Sequence, residues 1–140
     1  MAGNLQALRP KAGCETEKIT INLGYVDLGN IDLLVQEGFY SNRTDFIRTA
    51  IRNQVERHAD AARQSVARKK LDLGLRYYTR EDLEAARLAG RMLDIRVLGL
   101  ASIAFDVSPE LARATIASVS VLGALQASPD VRAALADRMR

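Results

Sequence analysis

Polar and apolar side chains alternate strictly from Lys18 to Leu23, in the stretch KITINL. A period of two predicts a β-strand with Ile19, Ile21 and Leu23 on one face and Lys18, Thr20 and Asn22 on the other, ended by Gly24. The period then changes. Leu28, Ile31, Leu34 and Val35 recur at three-to-four spacing and predict a short amphipathic helix over about 26–37. Gly38 is placed to stop that helix in the left-handed conformation. A second helix opens in SNRTDFIRTAIRNQVERH, where Asn42 is the N-cap and Asp45, three residues on, completes a capping-box-like pair. Its apolar stripe is Ile47, Ala50, Ile51 and Val55, widened by Phe46. The basic run ADAARQSVARKK that follows continues the helix or links onward.

The second half repeats itself. LDLGLRYYTREDLEAA, IRVLGLASIAFDVSPELARA and VSVLGALQASPDVRAAL each carry an apolar strand-like run around a glycine, then a helix start, then an Ala/Leu-rich helical run. The glycines are Gly74, Gly99 and Gly123. The helix starts at Thr79, Ser108 and Ser128 each pair a capping hydroxyl with an acid in the first turn, and two have proline at the first helical position. A strand–helix unit at this spacing predicts stacked units with parallel strands. The competing reading makes TIASVSVLGAL the end of a helix continuing from Pro109.

A six-residue strand needs backbone partners, and the first 60 residues offer no second strand. Two short helices also make too small a core alone. The economical solution is a two-fold dimer in which each strand pairs antiparallel with its copy. The expected dimer core is Ile19, Ile21, Leu23, Ile31, Leu34, Phe46, Ile47 and Ile51, and the polar triplets of both chains face outward. A two-stranded ribbon fits the major groove of B-DNA, where Lys, Thr and Asn side chains match base-edge donors and acceptors.

The order strand, helix, helix, with IDLLVQEGFY closing the first helix and SNRTDFIRTAIR opening the second, is where a family becomes visible. Residues 17–58 resemble the ribbon–helix–helix DNA-binding fold of CopG-like bacterial transcription regulators. The resemblance implies base contacts by Lys18, Thr20 and Asn22, and phosphate contacts by Ser41, Asn42, Arg43 and Thr44 at the start of the second helix. Exposed amides at a helix N-terminus suit an anion, which agrees. Gly24 departs from the proline that relatives often carry. Nickel-responsive relatives carry a regulatory domain with His and Cys ligands, and none occur here after residue 58. Antitoxin relatives carry polar tails, whereas this tail is apolar. Residues 71–140 resemble no family on these signs.

Charge sharpens the picture. The net charge is +3, and residues 1–70 hold all of it, with 11 Lys+Arg against 8 Asp+Glu; residues 71–140 balance at 9 against 9. A polyanion partner is expected for the first half only. One cysteine, Cys14, and one histidine, His58, cannot build a Cys/His metal cluster, so no metal or cofactor is expected. The opening residues lack a long apolar run, and the longest, VLGLASIAF, is about half of what spans a bilayer. A cytoplasmic protein without a membrane partner is expected. No nucleophile–base pair, paired-carboxylate site or phosphate-cradling glycine loop stands out, so it is not expected to be an enzyme.

The expected architecture is α+β: a flexible arm at 1–16, a ribbon–helix–helix domain at 17–60 with its ribbon swapped between two chains, a basic linker or helix extension at 61–70, and about three strand–helix repeats at 71–140. The expected function is sequence-specific binding of double-stranded DNA by an obligate homodimer that regulates, most simply represses, transcription. In the alternatives, the second half makes the chain a DNA-tethered adaptor for a protein partner, as in plasmid partition, DNA processing or toxin neutralisation, or a self-assembling scaffold. In the repressor reading the second half joins dimers into a higher oligomer.

Overall fold

The structure is a computed structural model that describes residues 16–140; the arm, with Cys14, lies outside the described residues except for Thr16. The chain divides into two compact units, one of residues 18–65 and one holding 66–140. The division falls inside the stretch expected to link two domains.

The first unit is built on two helices, α1 (Tyr25–Gln36) and α2 (Arg43–Arg57). Gly24 stands at the N-cap of α1 without a side-chain hydrogen bond. Gly38, at φ +86°, closes the helix: its N–H donates to the Val35 carbonyl and that of Phe39 to the Leu34 carbonyl. This is the doubly bonded left-handed ending that glycine makes inexpensive. Asn42 caps α2, its Oδ1 accepting from the Asp45 N–H at 2.8 Å, while the Asp45 carboxylate accepts from the Ser41 N–H at 2.9 Å. The helix breaks at His58, and a third helix, α3 (Ala59–Lys69), runs across the boundary between the units. The basic run is thus a helix of its own.

Residues 18–23 carry no helix, and no strand pairs with them among the described residues. The ribbon expected there needs a second copy, because the unit of residues 18–65 supplies no second strand to satisfy its backbone. The apolar residues expected to fill a core behave accordingly. Ile31, at 6% exposure, is the one buried side chain of the unit; Leu34, Phe46 and Ile47 are half-buried, and Ile19, Ile21, Leu23 and Ile51 are exposed.

The second unit is the parallel repeat array. Strands β1 (Asp72–Tyr78), β2 (Leu93–Ile103) and β3 (Ile116–Gln126) form a three-stranded sheet in that order, each pair parallel. Helices α4 (Arg80–Leu88), α5 (Pro109–Thr115) and α6 (Pro129–Leu135) follow the strands in turn. Thr79, Ser108 and Ser128 cap them, each side-chain oxygen accepting from the N–H three residues on. Ile95, Val97, Ala101, Ile103 and Val119 pack with Leu83, Leu111, Val131 and Leu135 of the helices into one core.

Gly74 pairs with Gly99, and Gly99 with Gly123. The three glycines marking the sequence repeat are one row across the sheet, all at positive φ. A Cβ on Gly99 would lie 2.2 Å from the Gly74 carbonyl oxygen, and one on Gly123 2.1 Å from that of Gly99. Each backbone approaches its neighbour where only hydrogen fits.

TIASVSVLGAL is strand, not helix. α5 stops at Thr115, whose buried hydroxyl donates to the Leu111 carbonyl at 2.7 Å, and Ile116 turns extended at once. The run of Ile and Val that follows favours the pleated surface.

Candidate nucleic-acid interface

Lys18, Thr20 and Asn22 are all exposed on the segment leading into α1. In an extended chain, their alternation with Ile19, Ile21 and Leu23 puts the polar triplet on one side. On the apolar side, Ile21 and Leu23 line an open hollow of about 330 Å³ with Ile31 of α1 and Phe46, Ile47 and Ala50 of α2. Phe46 is fixed there by an edge-to-face contact with Tyr40, the ring centroids 5.0 Å apart. The segment, α1 and α2 thus surround apolar surface that the unit does not cover.

Ser41, Asn42, Arg43 and Thr44 lie together at the start of α2, all exposed. Their arrangement adds a residue that the sequence reading missed. Arg43 donates from Nε and Nη2 to the two carboxylate oxygens of Asp32 on α1, both at 2.8 Å. The hydrogen bond from Arg43 holds the Asp32 carboxyl below the usual carboxylate range and raises the Arg43 guanidinium in turn. A planar fork on a carboxylate fixes the arginine's orientation. It also leaves Nη1 and one Nη2 hydrogen without a role in the pair. No one-letter pattern announces a contact across 11 residues, so only the folded helices disclose it.

The other titratable groups do not gather into a chemical site. Among the described residues, no cluster of three or more His, Cys, Asp or Glu has metal-binding geometry. A second hollow, of about 610 Å³, runs along Gly74, Gly99 and Gly123, and Glu17 and Arg132 are the charged residues among its lining. Burial pushes the Tyr78 phenol up, with the nearby Asp72 carboxylate adding to that and Arg76 opposing it. No helix among the described residues is long and apolar enough to cross a membrane.

The Ribbon-Helix-Helix transcriptional regulator family matches the chain over residues 14–132. The chain belongs to that family. The match reaches well past the 17–58 stretch that carries the resemblance and takes in most of the parallel repeat array, which sequence signs alone had left without a relative. No curated protein and no solved structure matches this ribbon–helix–helix regulator. Family membership makes it a DNA-binding regulator of transcription.

Proposed function

We propose that two copies of the chain form an obligate homodimer through residues 18–23, bind double-stranded DNA sequence-specifically, and repress transcription at the bound site in the cytoplasm. The observation that supports this best is the uncovered apolar surface of the first unit. Ile19 is 73% exposed and Ile21 62%, and the hollow beside Ile21 is open. A unit with one buried side chain has too little core to stand alone. An antiparallel copy of 18–23 supplies backbone partners along one edge of the segment, leaves the other edge to water, and turns its apolar teeth into a shared core. Each such tooth contributes about 1.5–3 kcal/mol when fully buried.

The same pairing sets two copies of Lys18, Thr20 and Asn22 side by side on the outer surface. A ribbon of that width enters the major groove, where lysine donates to guanine O6 and N7, asparagine pairs with adenine, and threonine bonds or touches the thymine methyl. The N-terminus of α2 then meets the flanking phosphate with its free amides, the hydroxyls of Ser41 and Thr44, and the unused hydrogens of Arg43. Phosphate contacts position the ribbon and base contacts specify the site. The activity is binding, with no covalent step.

The test is the triple change Lys18→Ala, Thr20→Ala, Asn22→Ala in the full chain. The dimer is expected to persist by sedimentation, while discrimination between a selected operator and random DNA disappears. Retained discrimination overturns the assignment of these residues.

A further inference from the structure

The two edges of the parallel sheet are treated differently. On the β3 edge the C-terminal residues cover part of the ladder: Met139 bridges Val119 in parallel, and the Arg140 N–H donates to the Val119 carbonyl at 2.9 Å. Arg132 donates to the Leu125 carbonyl and Arg138 to that of Ile116. On the β1 edge no strand lies beside Asp72–Tyr78 among the described residues. The Gly74 carbonyl faces β2, and the Tyr78 carbonyl accepts from Ala104, so the even-numbered backbone groups are turned inward. By alternation those of Leu73, Leu75 and Tyr77 point to the free edge. Among the described residues the Leu75 carbonyl accepts a long 3.3 Å bond from the Arg76 side chain beside it. An exposed edge of this kind templates pairing with another strand.

The sequence of that edge identifies the partner. Residues 72–76 read Asp-Leu-Gly-Leu-Arg, which on reversal exchanges acid for base and keeps Leu, Gly and Leu. We infer that β1 pairs antiparallel with β1 of a second copy about a two-fold axis at Gly74. Asp72 then stands opposite Arg76 of the other chain, twice, and Leu73 opposite Leu75, twice. Leu73 and Leu75 exchange the backbone hydrogen bonds, since their groups face the edge. Asp72 and Arg76 fall at the closer, non-hydrogen-bonded positions, where opposite charges interact best. Asp72 and Arg76 have no ion-pair partner among the described residues of their own chain, and four residues of strand separate them by roughly 13 Å. Gly74 fits the axis: a Cβ there meets nothing within 4 Å in the single chain, unlike those at Gly99 and Gly123. A two-fold pairing of this kind uses the β1 edge of both copies at once, so that edge offers nothing to a third. The inference stands apart from the ribbon at 18–23.

The experiment uses the full chain with Cys14→Ser, Asp72→Cys and Arg76→Cys under mild oxidation, with linked peptides identified by mass spectrometry. A 72–76 disulfide within one chain is excluded by the span, because bridged Cα atoms lie within about 7 Å. The 72–76 link between chains is expected to exceed either same-site link by about tenfold, whereas random collision gives about two to one and overturns the inference. A dominant same-site link, or none at all, overturns it equally. Amide hydrogen exchange provides a second measurement with the native cysteine arrangement and folded charge variants. Leu73 and Leu75 are expected to be protected, to lose protection in Asp72→Arg, and to regain it in the double change Asp72→Arg, Arg76→Asp. Unprotected amides in the parent chain, or no recovery in a folded double variant, overturn the pairing.

Discussion

Arg43 at the first position of α2 and Asp32 on α1 are joined by a two-pronged ion pair, Nε to Oδ1 and Nη2 to Oδ2. The pair ties the N-terminus of the proposed phosphate-gripping helix to the helix before it. It also sets a negative charge beside a proposed anion site. If Arg43 serves DNA, the two partners have opposite effects. Arg43→Ala is expected to weaken binding to every sequence alike and to reduce the slope of log affinity against log salt by about 1. Asp32→Ala is expected to strengthen binding to any DNA, since it removes a repelling carboxylate and frees the guanidinium. Titrations at several salt concentrations decide the matter: equal weakening by both changes makes the pair a purely structural tie.

The same pair carries a pH signature. The hydrogen bond from Arg43 lowers the Asp32 carboxyl, and that from Arg113 lowers Asp137 in the other unit. A carboxyl lowered on folding binds its proton more readily in the unfolded chain. Its stabilising contribution is therefore complete above the unfolded value, near pH 4, and is lost as pH falls through the lower folded value. Thermal melts are expected to show little dependence on these two groups between pH 5 and pH 7 and a decline below about pH 4. Asp32→Asn and Asp137→Asn are each expected to flatten part of that decline. A loss of stability that begins on the alkaline side points to other groups.

Gly74, Gly99 and Gly123 are at positive φ alike but differ in what lies beside them. An alanine at Gly74 meets open space, so its cost in the single chain is the backbone strain, about 1–3 kcal/mol. An alanine at Gly99 or Gly123 adds a collision with a carbonyl oxygen of the neighbouring strand, at 2.2 and 2.1 Å, and backbone cannot yield as a side chain does. Gly99→Ala and Gly123→Ala are expected to cost more than about 3 kcal/mol each, enough to threaten a marginally stable unit. Urea unfolding of the three variants tests the order. Equal losses at all three positions make the conformation, rather than the close approach, the reason for the glycines.

That row also shows how much was legible in the sequence. Three glycines 25 and 24 residues apart, each followed by a capping hydroxyl, predicted a parallel array, and the structure sets them in one register. Local chemistry is written locally, so the caps at Asn42, Thr79, Ser108 and Ser128 and the stop at Gly38 were readable too. What was not readable depends on pairs distant in the chain. Asp32 finds Arg43 only once α1 and α2 pack, and the capping of the β3 edge by Met139 and Arg140 needs the sheet in place first. α3 was ambiguous for another reason: a polar helix with no buried residue has no apolar stripe to mark its break from α2. For residues 18–23 the alternation was plain, but a period of two states which side chains share a face, not which chain provides the partner strand.

Ile21 is the residue at which one chain and two chains make opposite demands. In the single chain it is 62% exposed beside an open hollow, and a charged side chain there would find water. A surface change of that kind is usually within about 0.5 kcal/mol of neutral. In the proposed ribbon the same position sits between two chains, and a buried unpaired carboxylate is a severe penalty on each side of the two-fold axis. Ile21→Glu is therefore expected to abolish the dimer formed through residues 18–23 and to lower helix content, because α1 and α2 lose the only cover their apolar faces have. Lys18→Glu, on the outward face three residues earlier, is expected to leave assembly and helix content intact while removing DNA binding. Sedimentation and circular dichroism on both variants separate the cases. An Ile21→Glu protein that keeps its mass, its helices and its DNA affinity shows that the apolar teeth face solvent in the working molecule and that the ribbon is not how this regulator assembles.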